Sequence, residues 1–234
     1  MENNIKIGLL VIATNKYIDF VPPLLQGADE FFCKNHEVSY FVFTDHPDKL
    51  TPGPRKINQI HVPHKEWPWM TLERYKIFTD NHEELKKMDY LFYCDADMKF
   101  VAPVGSEILS ERVATIHPGC FLWNRRGNPE QRPESLAYIA PEEEIPTCYK
   151  CGGFNGGTSK EFLQMSQILS QNIIEDYKND IIAEWHDESH FNRYMLDNPP
   201  TKVLSPSYCF GEGYPLPFEP KLVALEKNKD ELRS

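Results

Sequence analysis

Apart from Lys6, Ile5 to Ala13 is an apolar run of strand length, and beyond a short polar turn Leu24, Leu25, Ala28, Phe31 and Phe32 recur at helical spacing. Val38 to Phe43 reads as a second strand and Ile60 to Val62 as a third. Thr71 to Met88 sets Leu72, Tyr75, Phe78 and Leu85 among charges, which predicts a helix leading into a strand at Tyr90 to Cys94. Strand and helix alternating through the first hundred or so residues predict an α/β protein with a mostly parallel sheet flanked by helices. The second half is less regular. It reads as strands near Val113 to His117 and Val203 to Ser205, helices from Lys160 to Lys178 and Glu188 to Leu196, and a mobile loop from Arg125 to Glu144.

Ligands of parallel sheets sit beyond the carboxyl ends of the strands, and two polar groups fall there. One is Thr14-Asn15-Lys16-Tyr17. The other closes the run Tyr90-Leu91-Phe92-Tyr93-Cys94-Asp95-Ala96-Asp97, whose two acids are two residues apart. In an extended segment such residues point the same way, so Asp95 and Asp97 can grip one cation jointly or through one carboxylate and a water.

A chain of 234 residues, 41% hydrophobic, has apolar material for one substantial core, which predicts a single compact domain. A formal charge of -10 argues against a nucleic-acid backbone or an anionic membrane as the main partner. The N-terminal stretch has no long apolar segment and the longest apolar run, Ile7 to Ala13, is too short to span a bilayer, so a soluble, cytoplasmic protein is expected. The six cysteines are dispersed as in a reduced globular protein; Cys148 and Cys151 form the one close pair and lack the second pair of a structural zinc site. Lys229-Asp230-Glu231-Leu232 is not at the free end and does not act as a retention signal.

Two further segments carry chemistry. In Trp185-His186-Asp187-Glu188-Ser189-His190-Phe191-Asn192, the histidines have the i, i+4 spacing of a zinc-hydrolase helix, but Asp187 replaces the usual Glu. The same segment reads as a helix N-terminus, with Asp187 or Ser189 as cap and Glu188 in the first turn. Gly152-Gly153-Phe154-Asn155-Gly156-Gly157 has four glycines in six positions, which suits a pocket wall approached closely by a ligand or another segment.

Taken in order, Asn15-Lys16-Tyr17, Trp67 with Arg74, Tyr93 to Asp97, His117-Pro118-Gly119, Gly152 to Gly157, Trp185 to Asn192, Leu204-Ser205-Pro206, and Lys227-Asn228 with Arg233 resemble glycosyltransferase family 6, which includes the ABO blood-group transferases and α1,3-galactosyltransferases. The resemblance spans nearly the whole chain. It implies a GT-A fold, with a nucleotide-sugar half at about 1–105 and an acceptor half with C-terminal tail at about 106–234. It also implies retaining transfer of GalNAc or Gal from a UDP-sugar to the 3-hydroxyl of a galactose-containing acceptor, with or without fucose.

By that resemblance Ile12, Ala13, Thr14 and Tyr17 hold uracil and ribose, and Arg74, Ala96, Cys151, Gly152, Gly153 and Asp187 complete the donor site. Asp95 and Asp97 take Mn2+ or another divalent ion, and Lys227 and Arg233 add positive charge at the leaving UDP. Glu188 lies beneath the anomeric carbon as nucleophile or electrostatic brace, and His117, Asn128 and Trp185 join it around the acceptor. The small triplet Cys151-Gly152-Gly153 favours UDP-GalNAc over UDP-Gal. Many bacterial relatives carry Asn-x-Asn at the acidic pair and work without metal, so this chain departs from them. It departs again at Gly211, where the resemblance implies an acid and this chain has Glu212 one step on. A UDP-Gal-specific transferase, a sugar-binding module without turnover and a zinc hydrolase using His186 and His190 are the alternative readings.

Overall fold

In the computed structural model, which describes residues 4–228 and Leu232, the elements begin with β1 (Lys6–Ile12), α1 (Val21–Phe31), β2 (Glu37–Thr44), β3 (Lys56–His61), α2 (Trp69–Leu72), α3 (Arg74–Asp80), α4 (His82–Leu85), β4 (Tyr90–Cys94) and β5 (Met98–Phe100). They continue with β6 (Arg112–Ile116), α5 (Pro118–Leu122), β7 (Lys150–Thr158), α6 (Ser159–Lys178), α7 (His186–Asp197), β8 (Lys202–Leu204), β9 (Phe210–Gly211) and β10 (Leu222–Ala224).

Among the described residues, seven strands form one sheet in the order β3-β2-β1-β4-β7-β6-β8. All neighbours run parallel except β7, which is antiparallel to both β4 and β6. The unbroken apolar pattern of β1 is explained by burial on both faces. Leu9 and Val11 point into one cluster with Val42, Phe92 and the α1 residues Leu24 and Ala28. Leu10 points into the other, with Phe41, Phe43, Tyr75, Phe78, Phe162 and Phe191. Each such side chain removed from water contributes about 1.5–3 kcal/mol. A smaller sheet, β5-β10-β9, brings the C-terminal segment back beside the turn after β4: Val223 pairs with Lys99, and the Leu225 N–H donates to the Asp97 carbonyl at 3.0 Å.

Several local expectations are corrected. The third strand begins at Lys56 rather than Ile60. The single helix expected over 71–88 is three short helices, interrupted at Glu73 and Asn81. Side chains compete there for main-chain carbonyls: Thr79 Oγ1 donates to Tyr75 O at 2.9 Å and Asn81 Nδ2 to Ile77 O at 2.8 Å. The glycine-rich 152–157, read as a closely approached wall, lies within the buried strand β7. A Cβ on Gly156 would come within 2.4 Å of Leu91 O and of the Phe92 ring, so only glycine lets β7 lie against β4 there. The 125–144 loop has no regular helix or strand, yet it is pinned. Buried Glu130 binds Arg132 and accepts from the Glu184 N–H at 2.8 Å, and buried Asp176 accepts from Ser135 Oγ at 2.5 Å and the Leu136 N–H at 2.9 Å.

Candidate active site

The chain leaves β1 toward β2 on one side, while β4 lies on the other, so the carboxyl ends of β1 and β4 flank a point where the strand order reverses. Such points leave a crevice. Here it is a cavity of about 250 Å³, lined by Ile12, Thr14 and Tyr17 from the end of β1, by Tyr93, Asp95, Ala96 and Asp97 from the end of β4, and by Arg74 and Lys227. Ala13 is fully buried just behind it.

Asp95 and Asp97 do not extend the strand: β4 stops at Cys94, and Asp95 to Asp97 turn toward β5. The Asp95 N–H is held by the Gly153 carbonyl at 2.9 Å, and both acids still line the cavity. Asp95 Oδ1 accepts from Tyr93 OH at 2.6 Å and from Arg74 Nη2 at 3.1 Å. Its other oxygen lies 2.9 Å from the position a Gly153 Cβ would occupy. Asp97 is buried and its charge is offset by the Lys227 ammonium, which also lies over the Tyr17 ring at 5.4 Å. Two carboxylates beside an open cavity offer the hard oxygen donors that Mn2+ and Mg2+ prefer. Among the described residues no third His, Cys, Asp or Glu joins them, so the residues fit an ion completed by substrate oxygens and water.

Arg74 ties the acids together. Its guanidinium is buried, contacts Asp187 Oδ2 at 2.9 Å, donates to Gly152 O at 3.0 Å and lies 4.1 Å from the Tyr93 ring centre. Burial pushes the Asp187 carboxyl up to about 6 despite the neighbouring guanidinium.

Glu188 stands on the other side of Gly152. Its Oε2 accepts from the Gly152 N–H at 2.7 Å, and burial pushes its carboxyl up to about 8, Asp187 and Asp95 adding to the rise and the Gly152 N–H opposing it. Glu188 also lines a second cavity, of about 320 Å³, with His117, Asn128 and Trp185. A Cβ on Gly152 would sit 3.2 Å from Arg74 Nη1 and 3.4 Å from Glu188 Oε2, so this glycine is the thin wall between the two cavities. His117 caps α5 by accepting from the Cys120 N–H at 3.2 Å through Nδ1. That bond puts the proton of the neutral ring on Nε2, and burial lowers the ring's affinity for a second proton.

The first turn of α7 carries Asp187 and Glu188 as expected, but neither Asp187 nor Ser189 is its cap. Trp185 occupies the cap position, and Ser189 Oγ reaches back to accept from the Trp185 N–H at 2.9 Å. The two α7 histidines have separate surroundings: His186 packs edge-on against Trp67 at 4.9 Å, while buried His190 lies 3.4 Å from Asp176. Buried Cys148 and Cys151 are unlinked thiols.

Cys151, Gly152 and Gly153 back the site as strand residues of β7, and Arg233 lies outside the described residues. Sequence reasoning missed His64, Lys65 and Met70, which close the outer side of the first cavity; Thr14 Oγ1 is 2.9 Å from His64 Nδ1. The only signal for them was their place after a strand, at the same sheet edge as Thr14. Among the described residues no helix is long and apolar enough to cross a membrane.

A mostly parallel sheet bearing an acidic turn at its switch point, with helices on both faces, is the architecture of a GT-A-like glycosyltransferase. Glycosyltransferase family 6 matches residues 1–234, and the chain belongs to that family. It is 37% identical to the histo-blood group ABO system transferase 1 of Rattus norvegicus, over 99% of this chain and 69% of the relative. It is 34% identical to the globoside alpha-1,3-N-acetylgalactosaminyltransferase 1 of Homo sapiens, over 99% of this chain and 69% of that protein. Over 96% of both chains it is 27% identical to the O-antigen biosynthesis glycosyltransferase WbnI of Escherichia coli.

Proposed function

We propose that the protein is a retaining transferase that moves GalNAc, or Gal, from a UDP-sugar to the 3-hydroxyl of a galactose-containing acceptor in α linkage, with Mn2+ at Asp95 and Asp97. The observation that carries this reading is the position of Glu188, which lines the second cavity while its carboxylate touches the wall of the first. A donor anomeric carbon beside Gly152 would face Glu188, and an acceptor hydroxyl would approach from the side of His117 and Trp185.

In this reading Tyr17, Ile12, Ala13 and Thr14 take the nucleoside, while Arg74 holds Asp95 and Asp187 in place. A bound Mn2+ would supply positive charge to the diphosphate. Lys227, which now offsets Asp97, would turn its ammonium to the departing phosphate. Glu188 accepts from the Gly152 N–H and is desolvated beside Asp187 and Asp95, so its carboxylate is more basic than an ordinary one, which suits it to meet positive charge at the sugar as nucleophile or as brace. His117 Nε2–H and the exposed face of Trp185 would orient the acceptor ring.

The GalNAc preference draws on the small triplet at Cys151 to Gly153 and on the similarity to globoside alpha-1,3-N-acetylgalactosaminyltransferases. The test is UDP release from UDP-GalNAc and UDP-Gal with a β-galactoside, alongside Glu188→Gln, with linkage analysis of the product. Transfer to O3 in α linkage, lost in Glu188→Gln and in excess chelator and restored by Mn2+, is the expected result. Equal UDP release by both forms would remove the catalytic role of Glu188, and full turnover in chelator would remove the metal from the acidic pair.

A further inference from the structure

At the mouth of the second cavity two aromatic side chains project outward: Trp123, 71% exposed, and Tyr214, 38% exposed, both lining the cavity that holds Glu188. Their ring centres are 5.4 Å apart at 63°. Exposed rings of this size are usually anchored loosely, but these are seated. A Cβ on Gly211 would come within 2.9–3.1 Å of Tyr214 ring carbons, so Tyr214 packs on the bare main chain of that glycine. The turn is closed by the Tyr214 N–H donating to Gly211 O at 3.0 Å, with Gly213 at φ +79°. A Cβ on Gly119 would lie 3.2 Å from both the Trp123 ring and the His117 ring, so the same absence of side chain seats Trp123 beside His117. Two glycines therefore hold two rings at a fixed angle, open to solvent, on the outer side of the site where the acceptor enters.

We infer that Trp123 and Tyr214 form a second sugar subsite, which receives the pyranose ring attached to the reacting galactose and stacks on its C–H face. The inference rests on the transferase reading above and specifies its acceptor: at least a disaccharide, recognised beyond the reacting ring by apolar stacking rather than by charge. Aromatic rings suit this role because they offer a flat apolar face with few rotatable bonds.

The test compares KM for methyl β-galactoside with KM for a β-galactosyl disaccharide at saturating UDP-sugar. In the native protein the disaccharide is expected to have the lower KM, by about ten-fold, equivalent to about 1.4 kcal/mol. In Trp123→Ala, and in Gly211→Ala, which displaces the Tyr214 ring, that ratio is expected to fall toward one, while Trp123→Phe keeps part of it. Equal KM values in the native protein, or a ratio unchanged in Trp123→Ala, would overturn the subsite. A purely structural role for these rings would move both KM values together. If neither sugar is used, the transferase reading falls. Tryptophan fluorescence then decides the subsite by itself: quenching by the disaccharide but not by methyl galactoside, lost in Trp123→Ala, supports it, and identical titrations of native and variant protein overturn it.

Discussion

Arg74 and Asp187 form a buried ion pair, Nη1 to Oδ2 at 2.9 Å, beside the first cavity, which Arg74 lines. Asp187 comes from α7 and Arg74 from α3, so the contact locks two helices of one sheet face against the end of β4, where Arg74 also grips Asp95. Breaking a buried pair by removing one partner leaves an uncompensated charge and costs about 3–5 kcal/mol.

Arg74→Ala is therefore expected to lower the Tm markedly and to abolish turnover. Arg74→Lys should recover little, because a single ammonium cannot span Asp187, Asp95 and the Gly152 carbonyl together. In the double variant Arg74→Ala/Asp187→Asn the orphaned charge is gone, and much of the lost stability should return while activity does not. Thermal melts and UDP-release assays on the three variants check this; a Tm for Arg74→Ala within error of the native value would contradict it.

Glu188 gives a pH dependence of defined sign. Its carboxyl is raised from 4.5 to about 8 in the folded protein, so between those values the native state holds a proton that the unfolded state has lost. The stability this contributes is complete below about 4.5 and is lost as pH rises through about 8. Tm should consequently fall across that window, and Glu188→Gln, which keeps an oxygen for the Gly152 N–H, should flatten the fall. Asp187, raised to about 6, keeps part of the slope in the variant. Turnover should climb over the same range as the carboxylate forms. Parallel Tm profiles for the two proteins from pH 4.5 to 8 would show that Glu188 is not the group responsible.

Much of this arrangement was legible beforehand, for identifiable reasons. Strands β1, β2 and β4 are buried on both faces, so their apolar runs leave little room for another reading, and Asp95 and Asp97 stand out as charges at the end of one of them, whereas Arg74 came only with the family resemblance. The antiparallel strand β7 was hidden because its glycines answer to neighbours distant in sequence: Leu91 and Phe92 at Gly156, Asp95 at Gly153. The three-way break of 71–88 was hidden as well, since the apolar spacing of Leu72, Tyr75, Phe78 and Leu85 persists across Glu73 and Asn81. The pinning of the 125–144 loop depends on Asp176, which reads as an ordinary helix charge until α6 is packed against it. The contribution of His64 likewise depends on the fold, which carries the segment after β3 over Thr14.

The glycines of β7 divide into two kinds, and substitution separates them. At Gly156 a methyl group would strike the Leu91 carbonyl at 2.4 Å, main chain that cannot yield, so Gly156→Ala is expected to cost about 1–3 kcal/mol of stability. At Gly153 the methyl would meet the Asp95 carboxylate at 2.9 Å instead, the end of a side chain that can swing aside. Gly153→Ala should melt close to the native protein yet bind Mn2+ and UDP more weakly, by on the order of ten-fold. Melting curves with calorimetric titration of the ion in the presence of UDP distinguish the two; a large Tm loss in Gly153→Ala with ion affinity intact would reverse the assignment.

Lys227 sits on the oxygen that a divalent ion at the acidic pair would need. Its ammonium pairs with Asp97 Oδ2, and the same segment is fastened to the acidic turn by the Leu225 N–H on the Asp97 carbonyl. An ion entering without nucleotide must displace that ammonium, whereas an ion entering with a diphosphate brings new anionic oxygens for Lys227 to follow. Two effects of opposite direction are therefore expected from Lys227→Ala: tighter binding of Mn2+ alone, by on the order of ten-fold, because its competitor is gone, and a lower kcat, because positive charge at the leaving phosphate is lost. Calorimetry with Mn2+ in the absence and presence of UDP, set beside steady-state kinetics, reads both. Weaker binding of the lone ion in the variant would show that Lys227 orders the acidic turn rather than competing for it.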